Sequence, residues 1–444
     1  MQDSNHSSID QQQHNVSAVA IVGLGFIGLP LSMSYTRNHY KVIGLDVNEA
    51  HIQRLQQGIT DSIESYDGHT LQYYLQDALQ NNLFIPTTDY AKAAQEVSAY
   101  IVTVGIPIIQ GVPYYDALES ATKELAKVVK PGDLILYRST HVPGTVRERL
   151  IPLLQSISPY QIGVDVHIAY APERVAEGRA MEEFQTVDVL IGGMNQASIE
   201  HAKEVLRRIN RATFHETSSM EMAETVKVVE NVQRDVNIAM VQEIAQLAQA
   251  TGLRTSELIR LANTHPRVNL LTPGAGVGGY CIPNAYYYLQ HKADAVDLNL
   301  PILSTARKTN DYVPNAILSR IDHKLGGIDF TQTRFAVLGL AMKNFSNDDR
   351  ISPSVTLIEE LLHRGAKVTA YDPLVSVDHH DFSVPTLEAC LGDADVILVT
   401  IRQEHWDSMA LSMLLQMAPS CRLVFDACEA IVHDGLSDTP LLRI

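Results

Sequence analysis

The sequence predicts an α/β protein with two Rossmann-like doubly wound domains joined by a central helical dimerisation region. Short apolar runs of buried-strand type alternate with helical patterns near both ends of the chain. This alternation is typical of a parallel sheet with helices on both faces. One long helical pattern separates the two series, and such a helix commonly joins domains or builds a dimer interface. At 444 residues the chain also exceeds one ordinary core, so two or three domains are expected.

Eight apolar runs are the predicted strands. The first series comprises residues 18–22, 41–46, 99–104 and 134–137. The second series comprises residues 334–340, 367–371, 395–400 and 422–426. The long helix is predicted over about 218–250, because that stretch contains neither proline nor glycine. No short-period repeat is present, although the two ends are architecturally alike.

Composition and charge limit the possible partners. The chain carries 34 basic and 51 acidic residues, a formal net charge of −17, which argues against general binding to nucleic acid or anionic membranes. No uncharged apolar run reaches transmembrane length, so no membrane segment is expected. The four cysteines form no CxxC pair, which favours a reduced, cytoplasmic location over a disulfide framework. Residues 1–17 are polar, lack the apolar run of a signal peptide and are expected to form a disordered tail.

A glycine motif, GLGFIG, follows the first predicted strand and opens a helix. Gly23 permits a tight turn, Gly25 lets a pyrophosphate approach the backbone, and Gly28 lets the helix pack closely. The phosphates then meet the unpaired N–H groups of the helix N-terminus. Asp46 ends the second strand at a distance that suits the adenosine ribose hydroxyls, so NAD is favoured over NADP. The alternative is a glycine-rich packing turn that binds no cofactor.

A second glycine-rich stretch, PGAGVGGYCIP at 273–283, delivers one thiol, that of Cys281. Its small residues let the backbone approach a ligand closely. Packing does not require so many glycines, so the stretch favours a cysteine that traps an aldehyde while a nicotinamide cofactor removes hydride. A cysteine in isolation is more often a buried small hydrophobic residue.

Lys227 and Asn231 are four residues apart on the long predicted helix and therefore share a face. Arg234 and Asp235 lie one turn further along. A lysine and an amide together can hold an alkoxide or oxyanion as it develops. The alternative is a solvated helix face with ordinary ion pairs, which residues at this spacing commonly form.

The remaining histidine and cysteine signals favour structural roles. His379 and His380 are adjacent, a spacing that matches no helical ligand pair, so a solvated loop is expected there and no metal. Cys390, Cys421 and Cys428 are interpreted as structural residues.

Six motifs, in order, resemble those of a known family. They are GLGFIGLPLS, STHVPGT, APERVAEGRA, KVVENVQRDVN, THPRVNLLTPGAGVGGYCIP and LGLAMKNFSNDDRISPS. Through them the chain resembles the nucleotide-sugar 6-dehydrogenases, the UDP-glucose/GDP-mannose dehydrogenase family, from about residue 18 to 430. The THPRVN segment most resembles the branch that acts on UDP-N-acetylmannosamine, with the UDP-N-acetylglucosamine enzymes close behind.

The resemblance implies an NAD-dependent four-electron oxidation of a sugar C6 alcohol to a carboxylate. Cys281 matches the family nucleophile, which carries the thiohemiacetal and thioester. Lys227 and Asn231 match the pair that stabilises the oxyanion. Glu173 matches the carboxylate that serves thioester hydrolysis, and Thr140 matches the threonine that helps position the catalytic water.

The resemblance also implies two sets of binding residues. The cofactor set consists of Gly23, Gly25, Phe26, Ile27, Gly28, Asp46, Thr140 and Arg350. The substrate set consists of Glu173, Arg174, Lys227, Asn231, Arg267, Gly278 and Lys343. Arg267 is expected to reach the substrate of a neighbouring subunit, because its loop lies near the dimer interface of the family.

The expected domains follow from the same resemblance. They are the tail at 1–17, an NAD-binding Rossmann domain at 18–212, a central helical dimerisation domain with the cysteine loop at 213–325, and a C-terminal UDP-binding Rossmann-like domain at 326–444. The expected partners are a UDP-sugar and further copies of the chain, in a homodimer or higher homo-oligomer. The expected pathway supplies uronic acids to surface polysaccharide.

One departure from the family pattern affects the chemistry. Relatives usually carry aspartate four residues after the cysteine, as in CxPxD, whereas this chain has Asn284 and then Ala285. Loss of that carboxylate should alter proton handling around Lys227. Ile106, where many relatives carry threonine near the cofactor, is a milder departure.

Three alternatives therefore stay open beside the favoured function. They are a UDP-glucose 6-dehydrogenase, a non-catalytic sugar-nucleotide-binding paralogue, and a two-electron dehydrogenase of the hydroxyacid type. The motifs also leave open the configuration of the sugar and its substituent at C2.

Overall fold

The structure, a computed structural model, describes residues 18–176, 178–435 and 440–444. The predicted tail at 1–17 lies outside the described residues. The chain divides into two compact units. The first contains the described residues up to Ile106, with Tyr115–Thr140 and Gly144–Glu224. The second contains Pro107–Tyr114, His141–Pro143 and Thr225–Ile444, and the predicted domain boundaries stay a prediction.

The first unit is built on an eight-stranded sheet. Its strands are β1 (Ala18–Val22), β2 (Lys41–Leu45), β3 (Phe84–Thr87), β4 (Ala99–Val102), β5 (Leu134–Tyr137), β6 (His167–Tyr170), β7 (Val189–Gly193) and β8 (Phe214–Glu216). Their spatial order is β8-β7-β6-β5-β4-β1-β2-β3. Neighbours are parallel except β6 and β7, which are antiparallel. The predicted parallel sheet is therefore confirmed.

Register brings the chemistry-bearing turns of this sheet to one edge. Val22 at the end of β1 pairs with Leu45 of β2 on one side and Val102 of β4 on the other. Every residue of β1 and β4 is buried, as expected for a parallel sheet covered on both faces. The turns after β1, β2 and β4 consequently lie side by side, where parallel α/β sheets place their ligands.

Helices cover this sheet. They are Gly28–Arg37, Glu49–Gln56, Leu71–Gln80, Tyr90–Glu96, Asp116–Val128, Ile151–Ile157, Ala180–Thr186 and Gln196–Leu206. Side chains of the first helix, such as Leu31 and Met33, are fully buried in a core that also contains Ile21 and Leu136.

The second unit contains a five-stranded sheet whose strands are all parallel. These are β9 (Arg334–Leu338), β10 (Lys367–Tyr371), β11 (Val396–Val399), β12 (Leu423–Asp426) and β13 (Leu441–Arg443). Their order is β10-β9-β11-β12-β13. The four predicted strands are present, and β13 was missed by the sequence analysis.

The helices of the second unit include the long one predicted from the sequence. The central helix spans Met220–Ala250 and begins in the last residues of the first unit. The cysteine helix spans Cys281–Asp294. The others are Thr255–Ala262, Pro301–Lys324, Pro353–His363, Leu387–Leu391 and Leu411–Met417.

Four strands end earlier than predicted: β2, β4, β9 and β11. The cause is the same in β4 and β11. Thr103 follows β4, and its hydroxyl donates to the Val22 and Gly23 carbonyl oxygens at 3.0 and 2.7 Å. Thr400 follows β11, and its hydroxyl donates to the Leu338 and Gly339 carbonyl oxygens at 3.0 and 2.9 Å. Each threonine is therefore part of the glycine turn beside it rather than a continuation of its strand.

The buried carboxylate of Asp133, the residue directly before β5, makes the stability of the protein depend on pH. Asp133 is 1% exposed, and its Oδ1 atom has no hydrogen-bond partner among the described residues. Burial raises the pKa of Asp133 to about 6, against a smaller lowering by the Lys130 N–H group at 3.0 Å.

We expect Asp133→Asn to be more stable than wild type at neutral pH. The folded state of wild type binds the extra proton between about pH 4 and pH 6, so its stability falls as pH rises through this window. The stability advantage of the variant should therefore grow from little at pH 4 towards ~3 kcal/mol above pH 6. Unfolding by urea at several pH values measures this difference, and an advantage that stays constant from pH 4 to pH 7 would contradict it.

Candidate active site

The turn after β1 leaves open space at one of its three glycines. Gly23 has a φ of +91°, and its N–H group donates to the Leu45 carbonyl at 2.7 Å. A Cβ atom at residue 28 would lie 1.7 Å from the Gly23 carbonyl oxygen, so only glycine fits there. A Cβ atom at Gly25 would meet nothing within 4 Å. Packing thus explains Gly23 and Gly28 but not Gly25, whose free backbone suits the close approach of a diphosphate.

Asp46 stands beside this turn. Its Oδ2 atom accepts a hydrogen bond from the Leu24 N–H group at 2.9 Å, and its Oδ1 atom accepts one from the Asn48 N–H group at 3.0 Å. The side chain is only partly buried at the end of β2, so its oxygens retain capacity for further donors. Phe26 is 42% exposed at the same edge. These residues fit the adenosine ribose and diphosphate of a dinucleotide.

The second unit repeats this turn, and the sequence analysis missed the repeat. Gly339 follows β9 with a φ of +103°, and its N–H group donates to the Tyr371 carbonyl at 2.9 Å. The next N–H group, of Leu340, donates to Asp372 at 2.8 Å. The signal was present: a glycine after the first strand, an aspartate after the second and a threonine after the third occur in both halves.

The repeated turn is closed to a ribose. Asp372 is buried, and it also accepts hydrogen bonds from the Leu374 N–H group at 3.0 Å and from the Gln403 side chain at 3.0 Å. Its carboxylate is therefore saturated with protein donors, unlike that of Asp46. A nucleotide bound by the second unit must use other groups.

The central helix carries a stripe of buried polar side chains. Glu224, Lys227, Asn231 and Asp235 are 0%, 9%, 3% and 1% exposed, and their spacing places them along one face. The interpretation of this face as solvated is therefore wrong for these residues. It holds for Arg234, which is exposed.

The two ends of the stripe have partners in the structure. Glu224 accepts hydrogen bonds from the N–H groups of Gly144 at 2.6 Å and Val146 at 3.0 Å. Asp235 pairs with Arg307 at 2.8 Å and also accepts from the Asn310 side chain at 2.7 Å. Burial raises the pKa of Asp235, and the Arg307 charge opposes the shift.

The middle of the stripe differs from its ends. The Nδ2 atom of Asn231 is buried without a hydrogen-bond partner in the described part of the chain. Lys227 likewise has no ion pair within residues 18–176, 178–435 and 440–444. A buried unpartnered donor costs about 1–3 kcal/mol, which a bound acceptor would offset. The Asn231 amide and the Lys227 amine lie one turn apart on the helix, an arrangement that suits an oxyanion.

The central helix also holds the segment that leads to Cys281. The Asn237 side chain donates to the Asn269 carbonyl at 2.7 Å and accepts from the Leu271 N–H group at 3.0 Å. The Gln242 side chain donates to the Gly274 carbonyl at 2.9 Å. One rigid element therefore presents Lys227 and fixes the start of the glycine loop.

The glycine loop packs tightly before the cysteine. A Cβ atom at Gly278 would lie 2.7 Å from the Ile351 carbonyl oxygen. Gly279 has a φ of +74°, and its N–H group donates to the same oxygen at 3.2 Å. Cys281 then begins its helix and is exposed, so the interpretation as a buried small residue is wrong. Its thiol is therefore open to an incoming group.

The other thiols contrast with that of Cys281. Burial raises the pKa of Cys390 to about 12 and that of Cys421 to about 11, and it also raises the pKa of Cys428. A thiol held in its protonated form is a poor nucleophile. Cys281 is thus the thiol best placed for covalent chemistry.

Glu173 is held by four donors in the first unit. Its Oε2 atom accepts two hydrogen bonds from the Arg138 guanidinium, one of them at 3.2 Å from Nε. Its Oε1 atom accepts the N–H groups of Arg174 at 2.8 Å and Val175 at 3.3 Å. Arg138 was missed by the sequence analysis, although it directly precedes the STHVPGT motif that contains Thr140.

Carboxylates also hold the rest of the loop that follows β6. Glu183 accepts the Ala176 N–H group at 2.6 Å. Glu64, which is buried, accepts the N–H groups of Gly178 and of Ala180, the latter at 3.2 Å. The sequence analysis missed Glu64, because no local pattern relates it to a loop more than one hundred residues away.

The predicted basic residues occupy different surroundings. Arg350 pairs with Asp348 at 2.6 Å, and its guanidinium lies 5.1 Å from the centre of the Tyr280 ring, next to Cys281. Lys343 is half-buried and Arg267 is exposed. Glu173 and Thr140 belong to the first unit, whereas Lys227, Asn231 and Cys281 belong to the second.

The segment of the histidine pair is largely exposed, as the sequence predicts, and both imidazoles also have local partners. His379 ends a short 3-10 turn, and both imidazoles contact one Asp349 oxygen, His379 at 3.1 Å and His380 at 2.9 Å. His380 also stacks on Phe382 at 4.9 Å. These contacts fasten the segment after β10 to the loop that carries Arg350.

Comparison with known proteins gives matches along most of the chain. Three family models match in order: the NAD binding domain of the UDP-glucose/GDP-mannose dehydrogenase family at residues 17–210, its central domain at 221–312 and its UDP binding domain at 336–433. The chain belongs to the UDP-glucose/GDP-mannose dehydrogenase family. It is accordingly an NAD-dependent nucleotide-sugar dehydrogenase, and the cofactor prediction is confirmed.

Individual relatives of this dehydrogenase cover nearly its whole length. The UDP-N-acetyl-D-mannosamine dehydrogenase of Pyrococcus horikoshii is 32% identical over 402 residues, which is 89% of this chain and 93% of the relative. The UDP-N-acetyl-D-glucosamine 6-dehydrogenase of Pseudomonas aeruginosa is 29% identical over 95% of this chain and 99% of the relative. The solved structure of UDP-D-ManNAc dehydrogenase from Pyrococcus horikoshii superposes with a TM-score of 0.87 at 30% identity, covering 96% of this chain and 99% of that one.

Two further expectations concern metals and membranes. The described residues contain no group of three or more His, Cys, Asp or Glu side chains that could hold a metal ion. Among the described helices, none is both long enough and apolar enough to cross a membrane.

We expect this dehydrogenase to use NAD⁺ in strong preference to NADP⁺. At this position the Asp46 carboxylate would accept ribose hydroxyls and repel a 2′-phosphate, and Val47, Asn48 and Glu49 supply no cation to offset that repulsion. Asp46→Ala should relax the preference while leaving the thermal midpoint within a few degrees. Initial rates with both cofactors test this, and comparable kcat/KM values for wild type would contradict the assignment.

Proposed function

We propose that the chain oxidises the C6 alcohol of a UDP-N-acetylhexosamine, UDP-ManNAc or UDP-GlcNAc, to the uronic acid. The observation that carries the proposal is the surroundings of Cys281: an exposed thiol at a helix N-terminus, on a glycine loop tied to the helix that presents Lys227 and Asn231. The names of the relatives support the sugar class, since those cited above act on UDP-N-acetylmannosamine and UDP-N-acetylglucosamine.

The reaction balances as a four-electron oxidation. One alcohol, one water and two NAD⁺ give one carboxylate, two NADH and three protons. NAD⁺, when bound by the first unit, would supply the hydride acceptor for each oxidation. The first oxidation gives the C6 aldehyde, and the Cys281 sulfur adds to it to form a thiohemiacetal. The second oxidation converts this thiohemiacetal to a thioester. Lys227 and Asn231 donate hydrogen bonds to the oxygen at C6, where negative charge develops in each oxidation.

Thioester hydrolysis completes the reaction. The oxygen of one water bonds to the acyl carbon, the carbon–sulfur bond breaks, and the Cys281 thiol and a carboxylate are released with one proton. We assign Glu173 and Thr140 to this step, as residues that orient the water. A positioned carboxylate and hydroxyl suit that task because both bind water oxygen or hydrogen atoms directly.

Local cations are needed for the anionic substrate, because the chain as a whole is acidic. We assign the diphosphate and uridine contacts to Lys343 in the second unit, and further substrate contacts to Arg174, Arg267 and Gly278. Arg350 is assigned to the cofactor, together with Phe26 and Ile27. Its partner in the structure is Asp348, two residues before it in the chain.

Ala285 distinguishes this chain from the pattern of its relatives. It is fully buried in the cysteine helix, one turn beyond Cys281, and Asn284 beside it is 5% exposed. No carboxylate at this position can therefore accept a proton from Lys227. We infer that proton transfer and hydrolysis are slow relative to hydride transfer.

We propose the cytoplasm as the location, where Cys281 stays reduced. We also propose domain boundaries near residues 212 and 325, so that the central helix and cysteine loop form one domain.

We expect the protein to be a homodimer or larger through the central helix. Met222, Val229, Met240 and Leu247 are apolar, 44–66% exposed, and spaced by seven or eleven residues along one face. Such a stripe on a helix this long requires a partner surface. Sedimentation at micromolar concentration measures the state: wild type should sediment as a dimer or larger and Leu247→Glu as a smaller species, whereas a monomeric wild type would contradict the proposal.

The stoichiometry of NADH tests the function itself. We expect two NADH per UDP-N-acetylhexosamine consumed, and no sustained turnover by Cys281→Ala. Cys421→Ala is the matched control, since it removes a half-buried thiol and should leave the rate unchanged. One NADH per sugar indicates a two-electron dehydrogenase, none indicates a non-catalytic binding protein, and preference for UDP-glucose would change the substrate assignment.

A further inference from the structure

Arg138 and Glu173 form a buried ion pair whose side chains are 5% and 11% exposed. Removing two charges from water is costly, and the cost is recovered only when the geometry is good and further hydrogen bonds are made. Here the guanidinium donates through two nitrogens to one carboxylate oxygen, and two backbone N–H groups donate to the other oxygen. These four hydrogen bonds hold the Glu173 side chain in one orientation.

The backbone of Arg138 reinforces this arrangement. Its N–H group donates to the Val102 carbonyl at 2.9 Å, and its own carbonyl accepts the Glu173 N–H group at 2.8 Å. The next residue, Ser139, donates through its hydroxyl to the Val104 carbonyl at 2.5 Å. Arg138 thus directly follows β5 and lies two residues before Thr140. It is joined to Glu173 by two side-chain hydrogen bonds and one backbone hydrogen bond.

We propose that Arg138 is the positioning residue for thioester hydrolysis. It fixes the Glu173 carboxylate by its side chain and the Thr140 segment by its place in the chain, so that both groups meet one water. The inference rests on the proposed function, because it assumes a thioester on Cys281. In that step water supplies the oxygen to the acyl carbon, the carbon–sulfur bond breaks, and the released proton leaves the site. Arg138 touches neither the water nor the sugar and acts through Glu173.

A purely structural role for the ion pair predicts a different result. Loss of a structural pair would lower stability and reduce all catalytic steps together. A positioning role slows hydrolysis selectively, because the two hydride transfers do not use Glu173. A misplacement of about 1 Å can cost up to roughly 100-fold in rate. The balance between oxidation and hydrolysis therefore separates the two roles.

The test compares wild type, Arg138→Lys, Glu173→Gln and the double variant Arg138→Gln/Glu173→Gln. Arg138→Lys keeps the charge but loses the two-nitrogen contact, and the double variant leaves no unpaired buried charge. Arg149→Lys is the matched control, because Arg149 forms an exposed ion pair with Glu119 in the same unit. Each protein receives excess NAD⁺ and UDP-ManNAc. Stopped-flow absorbance follows the first two NADH, and intact-protein mass spectrometry of quenched samples measures the adduct on Cys281.

We expect Arg138→Lys to form the first two NADH within about threefold of the wild-type rate and to turn over roughly tenfold or more slowly. The adduct fraction should rise accordingly, and KM for the UDP-sugar should fall with kcat. Glu173→Gln should behave similarly, and the double variant should hydrolyse the adduct no more slowly than Glu173→Gln alone, because both residues act on one step. Arg149→Lys should match wild type.

Three results would overturn the inference. Arg138→Lys that turns over within twofold of wild type shows that Arg138 does not position Glu173. Equal slowing of the first two NADH and of turnover shows a general structural role. Should Arg138→Lys fail to fold, equal slowing of these two rates in the double variant shows the same role. Wild type that forms neither NADH nor adduct overturns the proposed function, and this inference with it.

Discussion

The two large sheets of this protein share one interaction: an aspartate after the second strand accepts a backbone N–H group from the turn after the first strand. Leu24 donates to Asp46 in the first unit and Leu340 donates to Asp372 in the second. The bond holds a glycine turn with positive φ at the edge where parallel strands end. Buried or half-buried N–H groups need such partners, so the turn can leave the strand without orphaned donors.

The two turns differ in the hydrogen-bonding groups that they leave without a protein partner or open to solvent. Asp46 keeps part of its carboxylate exposed, and Gly25 keeps its backbone open. Asp372 is saturated by Leu374 and Gln403 in addition to the turn. The same backbone frame therefore leaves hydrogen-bonding groups available to a dinucleotide in the first unit and uses them within the protein in the second. Fold similarity alone would assign both to the same ligand, and the hydrogen-bond inventory separates them.

The central helix concentrates the chemistry of the second unit on a single face. Its buried polar stripe is satisfied at Glu224 and Asp235. Between them, the Asn231 amide nitrogen has no hydrogen-bond partner among the described residues, and Lys227 has no ion pair there. A buried amide donor without an acceptor costs stability, which a bound acceptor would offset. The same helix holds the glycine loop through Asn237 and Gln242, so the donors and the thiol loop are carried by one rigid element.

The sequence by itself determined the strands, the central helix and the residues of the motifs. Apolar runs such as β1 and β4 are continuous because parallel strands are buried on both faces, and that pattern is local. Cys281, Lys227, Glu173 and Asp46 were named because each stands in a motif with a fixed spacing. Family membership followed from the order of those motifs.

Only the tertiary structure decided which polar groups are paired. Arg138 and Glu64 were missed because the partners of their side chains lie 35 or more residues away in the chain, and no local pattern encodes such pairs. From the sequence alone, the helix face of Lys227 and Asn231 is equally consistent with a solvated face, since exposed ion pairs have the same spacing. The structure shows that this face is buried. A charged or amide donor that is removed from water needs an acceptor, and only the folded chain shows which donors are removed from water.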